Sequence, residues 1–322
     1  MKIAIVGATG EVGRMLLTCL EEHKIDAELD LYASERSEGL TMYFNEETLT
    51  VKKLDEASLS NKYDYILMSA GGAVSKHYAP IAAAAGNTII DNSSVWRRDK
   101  RIPLVIPEIN PDELVGYKGV IANPNCSTIQ MVLSLYPLHQ KYGLKKVIVS
   151  TYQSVSGSGY KGIQILEKQR QGDDDKGIFT DVIDLNVIPQ IGAFEDSGYC
   201  LEEDKMHYET ARIMSINDLQ ISATTVRVPV YFGHGEAVYS EYAKEIDLTE
   251  AAYVLSIAPA VKYNDNIYLT PRHINKSNDC HVSRLRYGVD KRSLAFWNVG
   301  HNVRLGAATN AVKIMLKHID LN

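Results

Sequence analysis

The chain has 322 residues, of which 45% are hydrophobic and 23% charged, enough for about two domains with buried cores. Its formal net charge of −6 lacks the basic excess that neutralises a phosphate backbone, which argues against a nucleic-acid partner and for a small molecule. Cys19, Cys126, Cys200 and Cys280 are far apart, with no Cys-x-x-Cys pair and no histidines at metal-ligand spacing, so neither a disulfide framework nor a metal site is expected. Reduced thiols in a cytoplasm are the simplest reading.

In chain order, "KIAIVG" is a continuous apolar strand, "EVGRMLLTCLEEHK" has helical spacing, and "AELDLYAS" returns to strand character. The opening run is too short for a signal segment, and no later stretch reaches the ~18 apolar residues of a membrane span. "YDYILMSAGG", "SKHYAPIAAAAG" and "TIIDNSS" then read as strand, helix and strand, and the alternation implies a parallel sheet with helices on both faces. After "ANPNCST" the pattern changes. The segment "STIQMVLSLYPLHQKY" begins as a helix that Pro137 should kink or end. "KKVIVSTYQSVS", "LQISATTVRVPV", "GEAVYSEYAKEI", "CHVSRLRYGVD" and "SLAFWNVGHN" follow as strands, and a run of strands with few helices suggests an α+β domain on a mixed sheet. The tail "RLGAATNAVKIMLKHID" has helical spacing.

Several stretches carry chemistry. Gly7, Gly10 and Gly13 of "GATGEVG" stand between a strand and a helix, where a tight turn and helix N-terminal amides suit a pyrophosphate. At the end of the second strand, Ser34, Arg36 and Ser37 suit a 2′-phosphate and hence NADP, whereas Glu35 could serve the ribose of NAD if it faced inward. "SAGG", Ser69 to Gly72, could admit a cofactor at a strand end or be a helix-starting turn. Cys126, after Pro124 and Asn125, heads a helix whose dipole favours a thiolate and whose amides could hold an oxyanion. A buried packing cysteine fits the same residues, and the two readings stand level. His234 lies in a Gly-flanked break between strands, close in sequence to Arg227, either as a base or as a structural histidine.

These pieces, with "ASERSEG", "DNSSVWR", "PLVIPEIN", "TYQSVSG", "NVIPQIGAF", "EEDKM", "ET", "RVPV", "GHGEAVY" and "NVRLGAATNA", resemble the aspartate-β-semialdehyde dehydrogenases and occur in that family's order from residue 3 to about residue 312. The resemblance implies an α/β chain: a Rossmann-type parallel-sheet nucleotide domain over residues 1–122, with the helix 302–322 packing back on it, and an α+β catalytic and dimerisation domain with a mixed sheet over 123–301. It implies NADPH-dependent reduction of L-4-aspartyl phosphate to L-aspartate 4-semialdehyde, with release of phosphate, in lysine, methionine and threonine biosynthesis, by a cytoplasmic homodimer or homotetramer.

Carried over residue by residue, the resemblance makes Cys126 the nucleophile of an acyl thioester, His234 its acid/base partner and Gln153 the group that orients the reacting centre. Arg227 would pair with the substrate carboxylate, Glu202 with its ammonium, Lys205 and Arg97 with phosphate, and Asn125 would place the thioester. Gly7, Thr9, Gly10, Glu11, Val12, Ser34, Arg36, Ser37, Ser156, Gly157 and Asn302 would contact NADP. Two departures stand out: "SVSGSG" follows Gln153 where relatives more often have alanines, and His301 replaces a usual acidic residue. Related readings are an N-acetyl-glutamyl-phosphate reductase, a malonyl-CoA reductase type, or a catalytically silent paralogue; the last predicts loss of Cys126 or His234, and both are present.

Overall fold

The computed structural model describes all 322 residues. By compactness the chain divides into two units, residues 1–124 with 307–322, and residues 125–306.

The first unit opens with β1 (Lys2–Val6), α1 (Glu11–Glu22) and β2 (Glu28–Ala33), then a hairpin of β3 (Thr41–Phe44) and β4 (Glu47–Lys53), a short α2 (Glu56–Leu59), β5 (Tyr65–Met68), α3 (Gly72–Ala84), β6 (Thr88–Asp91) and β7 (Val120–Ala122). The seven strands run in the order β3-β4-β2-β1-β5-β6-β7. Every pairing is parallel except β3 with β4, the antiparallel edge hairpin. Alternation along β1 decides which layer each residue joins. Ile3 and Ile5 pack with Leu16, Leu17 and Leu20 of α1, while Ala4 and Val6 pack with Ala79 and Ala82 of α3. Both faces are thus covered, as a parallel sheet of continuous apolar strands requires.

The second unit starts at α4 (Cys126–Tyr142), followed by β8 (Leu144–Gln153), α5 (Tyr160–Gln169), α6 (Leu201–Ile213), β9 (Gln220–Arg227), β10 (His234–Tyr242), α7 (Leu248–Ile257), β11 (Val261–Asn264), β12 (Cys280–Tyr287) and β13 (Ser293–Gly300). Its six-stranded sheet, β11-β12-β13-β10-β8-β9, is mixed, with parallel pairs at its two edges and antiparallel pairs between. Along β8 the residues alternate. Val147, Val149, Thr151 and Gln153 are buried, whereas Ile148 and Tyr152 are exposed. The unit also holds the helices α5, α6 and α7 beside α4, more than the few helices expected from its run of strands.

Pro137 lies inside α4 and does not end it. Tertiary packing outweighs the lost backbone bond, since Leu133, Leu135 and Leu138 around it are buried. The helix stops six residues later at Gly143, whose φ of 73° is the left-handed cap that favours glycine. A π-helical turn (Arg304–Thr309) leads to α8 (Asn310–Leu321), whose Ala311, Val312, Ile314 and Met315 join the core of the first unit beside α1.

Candidate active site

Cys126 is the first residue of α4 and only partly buried. Its neighbour Asn125 is the N-cap: Oδ1 accepts the Ser127 and Thr128 amides at 3.0 and 3.1 Å. The rest of Asn125 is equally occupied, its Nδ2 donating to Glu202 Oε1 at 2.8 Å and its backbone N–H to Glu209 Oε2 at 2.6 Å. Side-chain capping stabilises a helix start by roughly 1 kcal/mol. Here it also fixes where the thiol sits. On the other side the backbone of Gly306 lies against Cys126, so close that a Cβ there would come within 2.5 Å of the cysteine Cβ.

Across the sheet, Arg227, Gln153, His234 and Gly300 form one transverse row: Gln153 pairs with Arg227 on β9 and with His234 on β10, which in turn pairs with Gly300 on β13. Three of these carry side chains, all buried. Gln153 Oε1 accepts the Thr151 hydroxyl and its Nε2 donates to Glu202 Oε1 at 3.1 Å. Arg227 Nη1 donates to the Ser154 carbonyl at 2.6 Å. Gly157 lies over this pair, and a Cβ there would meet Arg227 Nη1 at 2.8 Å and the His234 ring at 3.5 Å.

Glu202 and Lys205, an i,i+3 pair on α6, join at 2.9 Å, with the carboxylate side chain only 7% exposed. This is no solvated surface pair. Burial disfavours the Glu202 charge, but Lys205 and hydrogen bonds from Asn125, Lys205 and Gln153 outweigh it and pull the carboxyl down to about 2. Burial also presses against the Arg227 charge, opposed by Glu202 and the Cys126 sulfur. His234 is held neutral: burial first, then Arg227, lowers its imidazole to about 3. Ser156 and Asn302 complete the cluster, with Asn302 Nδ2 donating to Ser156 Oγ at 2.9 Å.

The second unit therefore brings Asn125, Cys126, Gln153, Ser156, Gly157, Glu202, Lys205, Arg227, His234 and Asn302 into one polar cluster, buried except at Gly157 and, in part, at Cys126 and Lys205. The other expected residues form sets of their own in the first unit. Arg97 is buried, unlike its exposed neighbour Arg98, and donates to the Asn92 carbonyl at 2.8 Å. Gly7 has φ +85° and no room for a Cβ, which would meet the Ser69 carbonyl carbon at 2.9 Å; a Cβ on Gly13 would strike the Gly7 oxygen at 2.2 Å. The turn is thus pressed onto both β5 and α1, with Thr9, Glu11 and Val12 at the helix start. Gly10 caps α1 without any side-chain acceptor, which suits an outside anion. Ser34 caps the turn holding Arg36 and Ser37, and Thr9 Oγ1 lies 3.3 Å from Ser37 Oγ. Glu35 pairs with Lys53 at 3.1 Å on the exposed side.

Comparison with known proteins agrees with both units. Residues 2–117 match the family described as "Semialdehyde dehydrogenase, NAD binding domain", and residues 135–305 the family "Semialdehyde dehydrogenase, dimerisation domain". The aspartate-semialdehyde dehydrogenase of Aquifex aeolicus is 46% identical, over 97% of this chain and 96% of that one. The chain belongs to the aspartate-semialdehyde dehydrogenase family. The Campylobacter jejuni member is 44% identical over 99% of this chain and 98% of its own. Among solved structures, aspartate semialdehyde dehydrogenase II from Vibrio cholerae, complexed with ASA, superposes with a TM-score of 0.96 at 40% identity, covering 99% of this chain and 98% of that one.

Within this semialdehyde dehydrogenase framework, sequence reading passed over Glu209, Ser154 and Gly306. Glu209 lies seven residues beyond Glu202, two turns along one face of α6, so helical spacing would have placed both carboxylates toward Asn125. Ser154 had no local signal beyond its place after Gln153. Gly306 is seen only once the chain folds it against Cys126.

Proposed function

We propose that the chain reduces L-4-aspartyl phosphate to L-aspartate 4-semialdehyde with NADPH through a thioester on Cys126. The observation that carries this reading is the transverse row Arg227–Gln153–His234 in the same buried cluster as a thiol at a capped helix start. The Cys126 thiolate, favoured by the α4 N-terminus, adds to the acyl carbon; the carbon–oxygen bond to phosphorus breaks and phosphate departs. Bound NADPH supplies the hydride that reduces the thioester carbon. Collapse of the resulting hemithioacetal breaks the carbon–sulfur bond, frees the aldehyde and returns the thiolate. His234 serves the reacting oxygen as the acid/base group, and Gln153 and Asn125 orient the acyl group.

Substrate recognition follows from charge. Arg227 presents a planar fork suited to the α-carboxylate, Glu202 an anion for the ammonium, and Lys205 and Arg97 cations for phosphate. For the cofactor, Gly7, Thr9 to Val12, Ser34, Arg36 and Ser37 are the candidate contacts of the first unit, and Ser156, Gly157 and Asn302 those of the second. The pairing of Glu35 with Lys53 leaves the two serines and Arg36 as the 2′-phosphate site and supports NADP over NAD. The uncovered sheet face carrying Ile148 and Tyr152 supports association into a homodimer or homotetramer. No helix is long and apolar enough to cross a membrane, and we place the enzyme in the cytoplasm, in lysine, methionine and threonine biosynthesis.

The test is phosphate-dependent reduction of NADP with L-aspartate semialdehyde, for the wild type and Cys126→Ala, beside N-acetylglutamate semialdehyde and malonyl-CoA. Turnover of aspartate semialdehyde alone, lost without the thiol, is expected. Activity without phosphate, full activity of the variant, or turnover of only another substrate would refute it.

A further inference from the structure

Gln130 stands one helical turn after Cys126 on α4, so the two side chains leave the same face of the helix. It is buried, and the reaction proposed above gives it no part. A carboxamide in such a place needs partners, because leaving it unpaired costs more than pairing it gains. Its Nε2 donates to the His234 carbonyl at 3.3 Å. Its Oε1 lies against Gly300, where a Cβ would come within 2.8 Å of it. Gln130 thus touches two members of the transverse row, and the absence of a side chain at Gly300 leaves it the room.

The main chain at Gln130 is fastened as well. Asn298 Nδ2 donates to the Gln130 carbonyl oxygen at 2.9 Å, and the Cys280 thiol lies 3.3 Å from the same oxygen and 3.0 Å from Asn298 Oδ1. Asn298 is the register partner of Glu236, two positions along from the pair Gly300 and His234, and its Nδ2 also meets Glu236 Oε2 at 3.2 Å. At this one residue α4 is therefore tied to β10 through its side chain and to β12 and β13 through its carbonyl. Glu236, Asn298 and Cys280 are all fully buried, so no solvent stands ready to replace a broken bond.

Around these ties the helix is packed by apolar groups, with Ile129, Val132, Leu133 and Leu135 buried. Apolar attraction presses a helix onto a sheet without fixing where it stands along its axis, because it has no direction. Hydrogen bonds do fix that, since they weaken steeply with distance and angle. Asn125 fastens the same helix at its start, but to Glu202 and Glu209 of α6 and not to the sheet. The register of α4 on the sheet is set at Gln130 and, one turn further on, at Ser134, whose hydroxyl lies 3.2 Å from the same Asn298 amide.

We propose that Gln130 is a positioning residue, which holds the Cys126 thiol of α4 in place against the His234 imidazole of β10. The effect on rate rests on the function proposed above; the effect on geometry does not. In the thioester the acyl carbon is bonded to the sulfur of α4, while its oxygen is served by the imidazole of β10, so a slide of the helix on the sheet moves one group without the other. Misplacement by about 1 Å costs an oriented reaction about a hundredfold. The groups proposed to bind the substrate, Arg227 and Glu202, stand on β9 and α6, which Gln130 does not touch. The loss therefore falls on kcat and leaves KM nearly unchanged.

The test has two arms, both on Gln130→Met, which keeps the length of the side chain and removes its amide. In crystal structures superposed on the six-stranded sheet, the first turn of α4 is expected to stand roughly 0.5 Å or more from its wild-type place. In steady-state kinetics kcat for aspartate semialdehyde is expected to fall roughly ten- to a hundredfold, with KM within about twofold. The further loss caused by His234→Asn should then be about tenfold smaller in Gln130→Met than in the wild type, because an imidazole already out of place has less to lose. An unmoved α4, an unchanged kcat, or losses that simply multiply would overturn the proposal. If Gln130→Met does not fold, Gly300→Ala replaces it in both arms, since its methyl group presses on the amide oxygen and removes no hydrogen-bonding group. A wild type that does not turn over aspartate semialdehyde refutes the function alone, and the crystal structures still decide the positioning.

Discussion

Gln153 and His234 face each other as direct partners across the β8–β10 ladder. They lie 81 positions apart in sequence, counting from their numbers. Side chains alternate along a strand, so a slip of β8 by one residue against β10 would turn Gln153 outward and bring Ile148 and Tyr152 inward. The site therefore depends on register as much as on residue type. The apolar pairs beneath it, Val149 with Val238, hold that register.

Glu202 joins this row to the helix cap, accepting from both Gln153 and Asn125. Its carboxyl is pulled from an ordinary 4.5 to about 2. A lowered acid stabilises the fold above its unfolded value, and that stability is lost as pH falls through the folded value. Glu202→Gln is expected to lose about 3 kcal/mol at neutral pH, with the deficit shrinking between pH 4.5 and 2. Urea unfolding at a series of pH values measures this; a deficit independent of pH would contradict the electrostatic account. The same variant should raise KM for the semialdehyde roughly tenfold or more if the carboxylate meets the ammonium.

Glu236 behaves in the opposite sense. It is fully buried two residues after His234, with Oε2 accepting from Asn298 at 3.2 Å and Oε1 making no hydrogen bond of good geometry. Burial pushes its carboxyl well above the ordinary range, with only the Gln130 side chain opposing. A raised acid contributes stability that is complete below its unfolded value of 4.5 and is lost as pH rises toward the folded one. Glu236→Gln keeps the shape and removes the ionisable proton. Its thermal midpoint should equal or exceed that of the wild type at pH 7 to 8 and lose its advantage below about pH 5. A lower midpoint at all pH values would mean the carboxylate is ionised in the fold.

The alternating elements, the glycine turn and the thiol at a helix start were legible because each depends on local spacing: strand period, helix period, and glycine where Gly7 adopts φ +85°. Glu202 and Lys205 were legible through the resemblance, but the burial of the Glu202 carboxylate was not, because burial is set by what α6 packs on. Glu209, Ser154 and Gly306 were not legible as site residues, since their partners come from other elements. The passage of α4 through Pro137 belongs to the same class: local chemistry argues for a break, and packing of Leu133 and Leu138 overrides it. Long-range contacts, not composition, decide such positions.

The cofactor preference can be separated from catalysis. Arg36 stands in the exposed turn capped by Ser34, beside Ser37, while Glu35 is turned to Lys53. Arg36→Ala should raise KM for NADP roughly tenfold or more and leave KM for NAD within about twofold, because only the 2′-phosphate distinguishes the two. Equal effects on both cofactors would remove Arg36 from the phosphate site.

Gly157 supplies the sharpest steric test. Its backbone lies over Arg227 and His234, and a methyl group would come within 2.8 Å of Arg227 Nη1, closer than atoms not sharing a hydrogen bond can approach. The guanidinium is held from below by the Ser154 carbonyl at 2.6 Å, so it can yield only by breaking that bond. Misplacement of this order costs about a hundredfold in an oriented reaction. Gly157→Ala should therefore fold, since the loop leaves the hydrophobic core intact, and show kcat/KM for aspartate semialdehyde lower by roughly ten- to a hundredfold. Circular dichroism and steady-state kinetics on the same preparation decide it: an unaltered kcat/KM would show that Arg227 moves freely, and that its position is not what the reaction depends on.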